Sequence, residues 1–179
     1  LIGETGISKT ALATDLAAEN GWTLIDIDGN ILKEGEIGGL PTVENRSTVY
    51  AIHHKLREID EALAAGKTVL LFIDEINRCE HAVQQELMNL ILNHEINGYH
   101  LDESVRIIAA MNPTDTYDYQ TVEMDDAQKN RFVWLYMEPD YMQWLDWAAA
   151  KGIEPRVMEF ISTFPDYLSQ RNEDDINAT

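Results

Sequence analysis

The chain has 179 residues, of which 45% are hydrophobic and 25% charged, and its formal net charge is −19 at neutral pH. This balance is typical of one globular domain, or one domain and part of another, and excludes a disordered chain. The sequence has no apolar run that could span a membrane and no signal-peptide pattern. Its low Lys and Arg content argues against a broad nucleic-acid-binding face. The single cysteine, Cys79, excludes an internal disulfide, and we expect a cytoplasmic protein.

A glycine-rich loop stands at the start of the chain. Two apolar residues precede it and a helix-forming run follows it, which is the context of a phosphate-binding loop. Backbone N–H groups and the positive end of the helix dipole would attract an anion there. Lys9 would reach the outer phosphates, and the Thr10 hydroxyl would ligate Mg²⁺. The predicted nucleotide-binding loop residues are Gly3, Glu4, Thr5, Gly6, Ile7, Ser8, Lys9 and Thr10.

One loop position departs from the pattern G-x-x-x-x-G-K-[ST], because Ser8 stands where the second glycine belongs. Glycine lets the backbone approach a phosphate without a Cβ. Serine is the smallest polar substitute, so we expect a loop with altered affinity, although the loop alone also fits an ordinary strand-to-helix turn. Strands usually have about five residues, so we expect that the first strand is cut and the sequence is a fragment.

Further along the chain, strands and helices alternate, which predicts an α/β fold with a parallel, five-stranded sheet between helices. We expect a core domain over residues 1–138 and a helical segment over 139–179 that ends in a polar tail at 171–179. Beyond the first strand, strands are predicted at 22–27, 68–73, 105–111 and 132–137; helices at 46–65, 82–93, 125–130, 139–150 and 155–164; a loop at 31–45; and a hairpin at 95–100.

Asp74 and Glu75 follow the continuous apolar run 68–73, which is typical of a buried parallel strand. Open α/β sheets bind ligands at the carboxyl ends of their strands. There Asp74 could hold Mg²⁺ beside Thr10, and Glu75 could orient the water that attacks the γ-phosphate. Successive strand residues face opposite ways, so the two carboxylates would have different roles.

Three more side chains are candidates at the same edge of the sheet. Asn112 ends the next buried strand and could hold the attacking water or contact the γ-phosphate; it also fits a turn before Pro113. Arg131 could reach the γ-phosphate bound to a neighbouring subunit, or form a salt bridge with one of the many acids. Arg78 is a second cation near Asp74 that could act at a subunit contact.

The ordered set of glycine loop, Asp-Glu, Asn and Arg resembles the AAA+ ATPases over about residues 1–140, and more narrowly their MoxR-like branch. Residues 72–78 (Phe-Ile-Asp-Glu-Ile-Asn-Arg) are similar to the Walker B motif of that branch. The hairpin segment 95–106 resembles its insert in the second conserved helix. Residues 126–132 are similar to its arginine-finger segment.

This resemblance implies ATP and Mg²⁺ as cofactors, a ring of subunits, often a hexamer, and chaperone-like remodelling, often with a partner bearing a von Willebrand factor A domain. Residues 139–179 would lead into an incomplete helical lid. No sensor 2 arginine is recognisable, since Arg156 lies too early. By this resemblance Lys9 and Thr10 are the Walker A residues, and Asp74 is the metal-binding residue of Walker B. Glu75 would be the catalytic glutamate, Asn112 the sensor 1 residue and Arg131 the arginine finger.

Two other functions remain open at this point. The chain could be a nucleotide-binding assembly scaffold with little turnover; Ser8 favours this function and Glu75 argues against it. It could also be a nucleic-acid-acting AAA+ motor, against which the net charge of −19 argues.

Overall fold

The structure is a computed structural model that describes residues 1–4, 6–113 and 126–168. It contains two compact units, the first of which is Leu1–Tyr136, while the second begins at Met137. The strands of the first unit are β1 (Thr23–Asp28), β2 (Pro41–Glu44), β3 (Ser47–Tyr50), β4 (Val69–Asp74), β5 (Glu95–Ile96), β6 (Tyr99–His100) and β7 (Arg106–Ala109). Its α-helices are α1 (Lys9–Asn20), α2 (His54–Ala64), α3 (His81–Asn93) and α4 (Asp126–Lys129).

The central sheet is parallel, with strand order β1-β4-β7. The first residues of the chain extend it, because Ile2 forms parallel bridges to both Met111 and Tyr136. Among the described residues the sheet thus has five parallel chain segments, as predicted, although the segments at Ile2 and Tyr136 are joined by isolated bridges and a few backbone hydrogen bonds rather than as regular strands. The carboxyl ends of β1 and β4 are aligned, since Asp28 pairs with Asp74.

Strand β4 lies at the centre of the core, and its first five residues are buried. This explains its continuous apolar sequence, because a central strand of a parallel sheet is covered on both faces. Helix α2 contributes the buried side chains of Leu56 and Ile59, and α3 those of Val83 and Leu87. Burying each Leu, Ile or Val side chain contributes roughly 1.5–3 kcal/mol. The core therefore holds β4 firmly, and with it Asp74.

The predictions of a loop at 31–45 and a helix at 46–65 are wrong in part. Residues 41–50 form the antiparallel hairpin β2–β3, and the helix begins only at His54. The apolar residues of the predicted helix 46–65 have helical spacing, but the β-branched side chains of residues 41–50 suit an exposed ribbon. Asn45 and Arg46 both have positive φ, as the two central residues of a tight hairpin turn require.

The hairpin predicted at 95–100 is confirmed as β5–β6, with Asn97 and Gly98 at positive φ in its turn. It lies between α3 and β7 in the chain, and the Asn97 side chain donates a 2.9 Å hydrogen bond to the Gly38 carbonyl. The hairpin is therefore attached to the loop that precedes β2.

The second unit contains α5 (Tyr141–Lys151), α6 (Pro155–Thr163) and a 3₁₀ turn at Pro165–Leu168. The helix predicted at 139–150 begins only at Tyr141, because Pro139 precedes it and Asp140 caps it, accepting from the Met142 and Gln143 amides. Gly152 ends α5 in the left-handed conformation. The predicted tail at 171–179 lies outside the described residues.

None of the helices that the structure describes is long and apolar enough to cross a membrane.

Candidate nucleotide-binding site

The glycine-rich loop joins Ile2 to the first residue of α1, as predicted. Gly6 has φ +86° and Ser8 has φ +69°, so the chain turns twice through the left-handed region before the helix begins. The Ser8 side chain does not cap α1. The amides of the first helical turn consequently have no side-chain acceptor at this position, and an anion would satisfy them. Thr5 lies outside the described residues.

The Lys9 ammonium connects the loop to the end of β7. Its Nζ donates to the carbonyls of Gly3 (2.8 Å) and Glu4 (3.0 Å) and to Oδ1 of Asn112 (2.9 Å). The side chain is only 8% exposed although it is charged. A buried ammonium needs such oxygen partners, and phosphate oxygens would be stronger partners than carbonyls because they carry negative charge.

Thr10 and Asp74 meet at the carboxyl end of β4. The Thr10 hydroxyl donates a 2.7 Å hydrogen bond to Oδ2 of Asp74, whose Oδ1 accepts from the Glu75 amide at 2.9 Å. A hydroxyl and a carboxylate this close are a suitable donor pair for Mg²⁺, which one or two carboxylates and substrate phosphates usually hold. In the described part of the chain, no cluster of three or more His, Cys, Asp or Glu could hold a metal alone.

Glu75 begins the turn that follows β4, with φ +52°. Its Oε1 accepts a 3.0 Å hydrogen bond from Nη1 of Arg78, and both side chains are partly exposed. Gly29 packs against this turn, because a Cβ at that position would lie 3.2 Å from the carbonyl oxygens of Asp74 and Glu75. The turn therefore joins Glu75 to Asp74 through its backbone amide, while the Glu75 carboxylate forms an ion pair with Arg78.

Asn112 lies just beyond β7 and is 1% exposed. Its Oδ1 contacts Lys9, while its Nδ2 is buried and has no hydrogen-bond partner among the described residues. Asn77, also fully buried, forms two hydrogen bonds with the backbone of Asn112. No role of its own was predicted for Asn77; its signal in the sequence was its place in the segment 72–78 that resembles the Walker B motif of the MoxR-like branch.

Five predicted site residues thus come together: Lys9, Thr10, Asp74, Glu75 and Asn112. Arg131 is not among them. It is exposed, lines a cavity with Leu12 and Phe132, and has no ion-pair partner in the described part of the chain. The alternative of a structural salt bridge therefore has no support from the described residues. Arg156 pairs with Glu154 on the surface of the second unit.

Comparison with known proteins identifies a family and a fold. Residues 1–133 match the sequence profile of the ATPase family associated with various cellular activities (AAA). A presumed ATPase from Cytophaga hutchinsonii aligns with a TM-score of 0.55 at 18% identity, covering 85% of this chain and 45% of that one. A mutant of RuvB from Thermotoga maritima aligns with a TM-score of 0.48 at 19% identity, covering 84% of this chain and 42% of that one.

NtrX from Brucella abortus aligns with a TM-score of 0.49 at 14% identity, covering 86% of this chain and 38% of that one. The chain spans less than half the length of each of these three structures. A search of curated proteins finds no match. The family profile covers most of the chain, and the structural likeness is one of fold. The chain belongs to the AAA family of ATPases and has the P-loop fold of a parallel sheet flanked by helices.

Proposed function

We propose that this chain binds ATP with Mg²⁺ and hydrolyses it. One observation carries the proposal: Lys9 and Thr10 contact Asn112 and Asp74, residues that are 103 and 64 positions away, at 2.9 and 2.7 Å. These four side chains lie at one edge of the sheet, the edge at which open α/β sheets bind ligands. An ammonium, a hydroxyl, a carboxylate and an amide there supply what a Mg²⁺-triphosphate requires.

Each residue has a role that follows from its chemistry. Lys9 would exchange its carbonyl partners for phosphate oxygens, and Thr10 with Asp74 would hold Mg²⁺, which neutralises phosphate charge when bound. Glu75 would orient the attacking water and accept its proton. Its ion pair with Arg78 holds the carboxylate in place, so turnover requires Glu75 to exchange that partner for water.

The Lys9→Ala variant tests this proposal. Lys9 supplies the positive charge in the loop, so its removal should abolish binding of a fluorescent ATP analogue in the presence of Mg²⁺. Lys67→Ala, which removes an exposed lysine just after α2, is the matched control and should bind as the wild type does. An unchanged affinity in Lys9→Ala would overturn the phosphate-loop assignment.

A MoxR-like remodelling function is a finer proposal. It is supported by the sequence of residues 72–78 and by the hairpin β5–β6 between α3 and β7. We propose a homo-oligomeric ring, a hexamer by analogy, that remodels a protein partner with a von Willebrand factor A domain. The second unit would be the start of a helical lid. Native mass spectrometry with ATP, and pull-down with such a purified domain, test the ring and the partner separately.

The scaffold alternative has one observation in its favour. Glu75 is paired with Arg78, and this would slow turnover if the pair persisted with ATP bound. Single-turnover kinetics distinguish the two functions: the scaffold would bind ATP tightly and fail to cleave it even when assembled, whereas the ATPase would release phosphate.

A further inference from the structure

Asn77 is a buried polar residue to which the proposed chemistry assigns no role. It is 0% exposed, and both ends of its amide are used. Its Nδ2 donates to the Asn112 carbonyl at 2.8 Å, and its Oδ1 accepts from the Asn112 amide at 3.2 Å. The two residues are 35 positions apart in the chain, so this contact exists only in the folded protein.

The side-chain amide of Asn77 forms the hydrogen bonds that a neighbouring strand would otherwise form. The backbone pairing of β4 with β7 continues beyond the two strands. The Ala110 amide donates to the Ile73 carbonyl at 2.8 Å, and the Ile76 amide donates to the Ala110 carbonyl at 3.1 Å. Asn77 then supplies one donor and one acceptor to Asn112, as a neighbouring peptide group would. A shorter side chain, or one with only acceptors, cannot make both bonds.

These two hydrogen bonds affect the orientation of the Asn112 side chain. With its backbone held, its Oδ1 faces the Lys9 ammonium at 2.9 Å. The opposite orientation of the amide would place an NH₂ group against NH₃⁺, which is unfavourable because both are donors. The orientation is therefore fixed, and the buried Nδ2 is left without a partner among the described residues. Buried donors are rarely unpaired, so this one indicates an acceptor that arrives with a ligand.

We propose that Asn77 is a positioning residue for ATP hydrolysis: it holds the Asn112 backbone so that the Asn112 Nδ2 is aimed at an oxygen of the bound nucleotide's terminal phosphate or of the attacking water. This inference rests on the proposed function. An anionic oxygen suits the position because it would accept from both the amide and the Lys9 ammonium. Displacing such a group by about 1 Å can reduce the rate roughly 10²-fold.

The first test compares Asn77→Ala with Val83→Ala, which shortens a fully buried side chain of α3 and lowers stability without touching Asn112. Both variants should lose thermal stability. Asn77→Ala should in addition lower kcat by roughly 10–10²-fold while the Kd for ATP changes little. Equal kcat values in the two variants, after correction for the folded fraction, would overturn the positioning role.

Asn77→Asp provides a pH readout that a purely structural role would not change. A buried carboxyl has a raised pKa, and its protonated form can both donate and accept, as the amide does. The kcat of this variant relative to wild type should therefore recover as pH falls and be lost as pH rises. A flat ratio across about pH 5–9 would contradict the proposal.

A double-mutant cycle with Asn112→Ala tests whether Asn77 affects kcat through the Asn112 side chain. If Asn77 acts through the Asn112 side chain, Asn77→Ala should lower kcat little further in the Asn112→Ala background, since residues acting as a unit are not additive. Equal fold-losses in both backgrounds would mean that Asn77 acts by another route, and the proposal would fall.

A binding readout separates this inference from the proposed function. If the wild type binds ATP but never hydrolyses it, the proposed hydrolysis fails, and the Asn112 side-chain amide signal in NMR spectra still tests the inference. A non-hydrolysable ATP analogue with Mg²⁺ should shift that signal in the wild type and not in Asn77→Ala. The same shift in both proteins would overturn the inference, and a wild type that binds no ATP would overturn both.

Discussion

The Thr10 hydroxyl donates a 2.7 Å hydrogen bond to the Asp74 carboxylate, joining the first turn of α1 to the end of β4. Both residues are on regular elements, and β4 is the most buried strand of the sheet. Such elements hold side chains more precisely than loops do. The two oxygen ligands proposed for Mg²⁺ are therefore held close together by regular elements of the fold.

Asp74→Asn should weaken Mg²⁺-dependent ATP binding, because an amide lacks the negative charge that a hard cation prefers. In Asp74→Asn the side-chain oxygen can still accept from the Glu75 amide and the side-chain NH₂ can donate to the Thr10 hydroxyl, so the fold should be retained. Titration of ATP at several Mg²⁺ concentrations measures this effect. Asp15→Asn, which changes an exposed residue of α1, is the control for charge removal. An Asp74→Asn protein with unaltered Mg²⁺ dependence would rule out Asp74 as a metal ligand.

Glu75→Gln should bind ATP normally and stop hydrolysis, because the amide preserves the shape but cannot accept a proton from water. General bases contribute roughly 10²–10⁴-fold in rate. Phosphate release under saturating ATP is the measurement. Glu95→Gln, at the exposed residue of hairpin strand β5, is the matched control. Wild-type turnover in Glu75→Gln would show that another group is the base.

Ser8→Gly should stabilise the protein and tighten nucleotide binding. Ser8 has φ +69° and no capping hydrogen bond from its side chain, and a left-handed conformation costs a non-glycine residue roughly 1–2 kcal/mol. Allowing for the greater freedom of glycine in the unfolded chain, the net gain is about 1 kcal/mol. Denaturant unfolding measures it, with the exposed strand residue Ser47 changed to Gly as a control that should lose stability.

The affinity of Ser8→Gly for ATP gives a second result. A Cβ in the loop limits how closely the backbone approaches phosphate, so its removal should lower the Kd. Weaker binding would mean that the serine hydroxyl contacts the nucleotide and that the steric interpretation is wrong.

Part of this site could be predicted from the sequence because the patterns that indicate it are formed by residues close together in the chain. The continuous apolar run before Asp74 is explained by burial on both faces, and the glycine loop by its left-handed turns at Gly6 and Ser8. Asn77 could not be found in this way. Its role depends on a contact with Asn112 across 35 positions, and a single asparagine in a turn has no periodicity or charge pattern to mark it.

The hairpin β2–β3 was mistaken for a loop and the start of a helix for a related reason. Only Val49 of this ribbon continues the helical spacing of the apolar residues after it, whereas Val43, in the predicted loop, is 77% exposed and packs on no core. Hydrophobic periodicity predicts structure only where one face is buried. An exposed ribbon is specified instead by its turn, and Asn45-Arg46 lacks the glycine that marked the turn of β5–β6.

Cys79 should react slowly with alkylating reagents while the protein is folded. Burial raises the pKa of its thiol from 9.0 to about 11, and the thiol donates to the Ile76 carbonyl at 3.0 Å. Only the thiolate is nucleophilic, so at about pH 8 this rise in pKa lowers its thiolate fraction roughly a hundredfold. Iodoacetamide labelling of folded and denaturant-unfolded protein measures the ratio. Equal rates would show that the thiol is accessible in the folded state.

The same shift predicts a pH dependence of stability. Because the folded state raises the pKa of Cys79, the folded protein keeps its proton where the unfolded chain loses it. The contribution of the buried thiol is therefore complete below about pH 9 and falls as pH rises from 9.0 towards 11. Cys79→Ala should reduce this loss of stability in denaturant melts between those pH values.

Arg131→Ala should spare ATP binding and reduce hydrolysis strongly. Arg131 is exposed, has no ion-pair partner in the described part of the chain, and is not among the residues that contact Lys9 or Asp74. These observations suit a residue that acts on the nucleotide of a neighbouring subunit. Arginines in that role contribute on the order of 10³–10⁵ in rate. Arg57→Ala, which removes an exposed arginine of α2, is the control and should retain turnover.

Mixing two inactive proteins decides whether Arg131 acts on a neighbour. In a mixed ring, an Arg131→Ala subunit keeps its own Glu75 and can receive Arg131 from an adjacent Glu75→Gln subunit. Such a site has both groups, so part of the activity should return on mixing, whereas neither protein alone has a complete site. Native mass spectrometry establishes that mixed oligomers have formed. If they have and no activity returns, Arg131 does not act between subunits, and a loss of turnover in Arg131→Ala would then have to arise within its own chain.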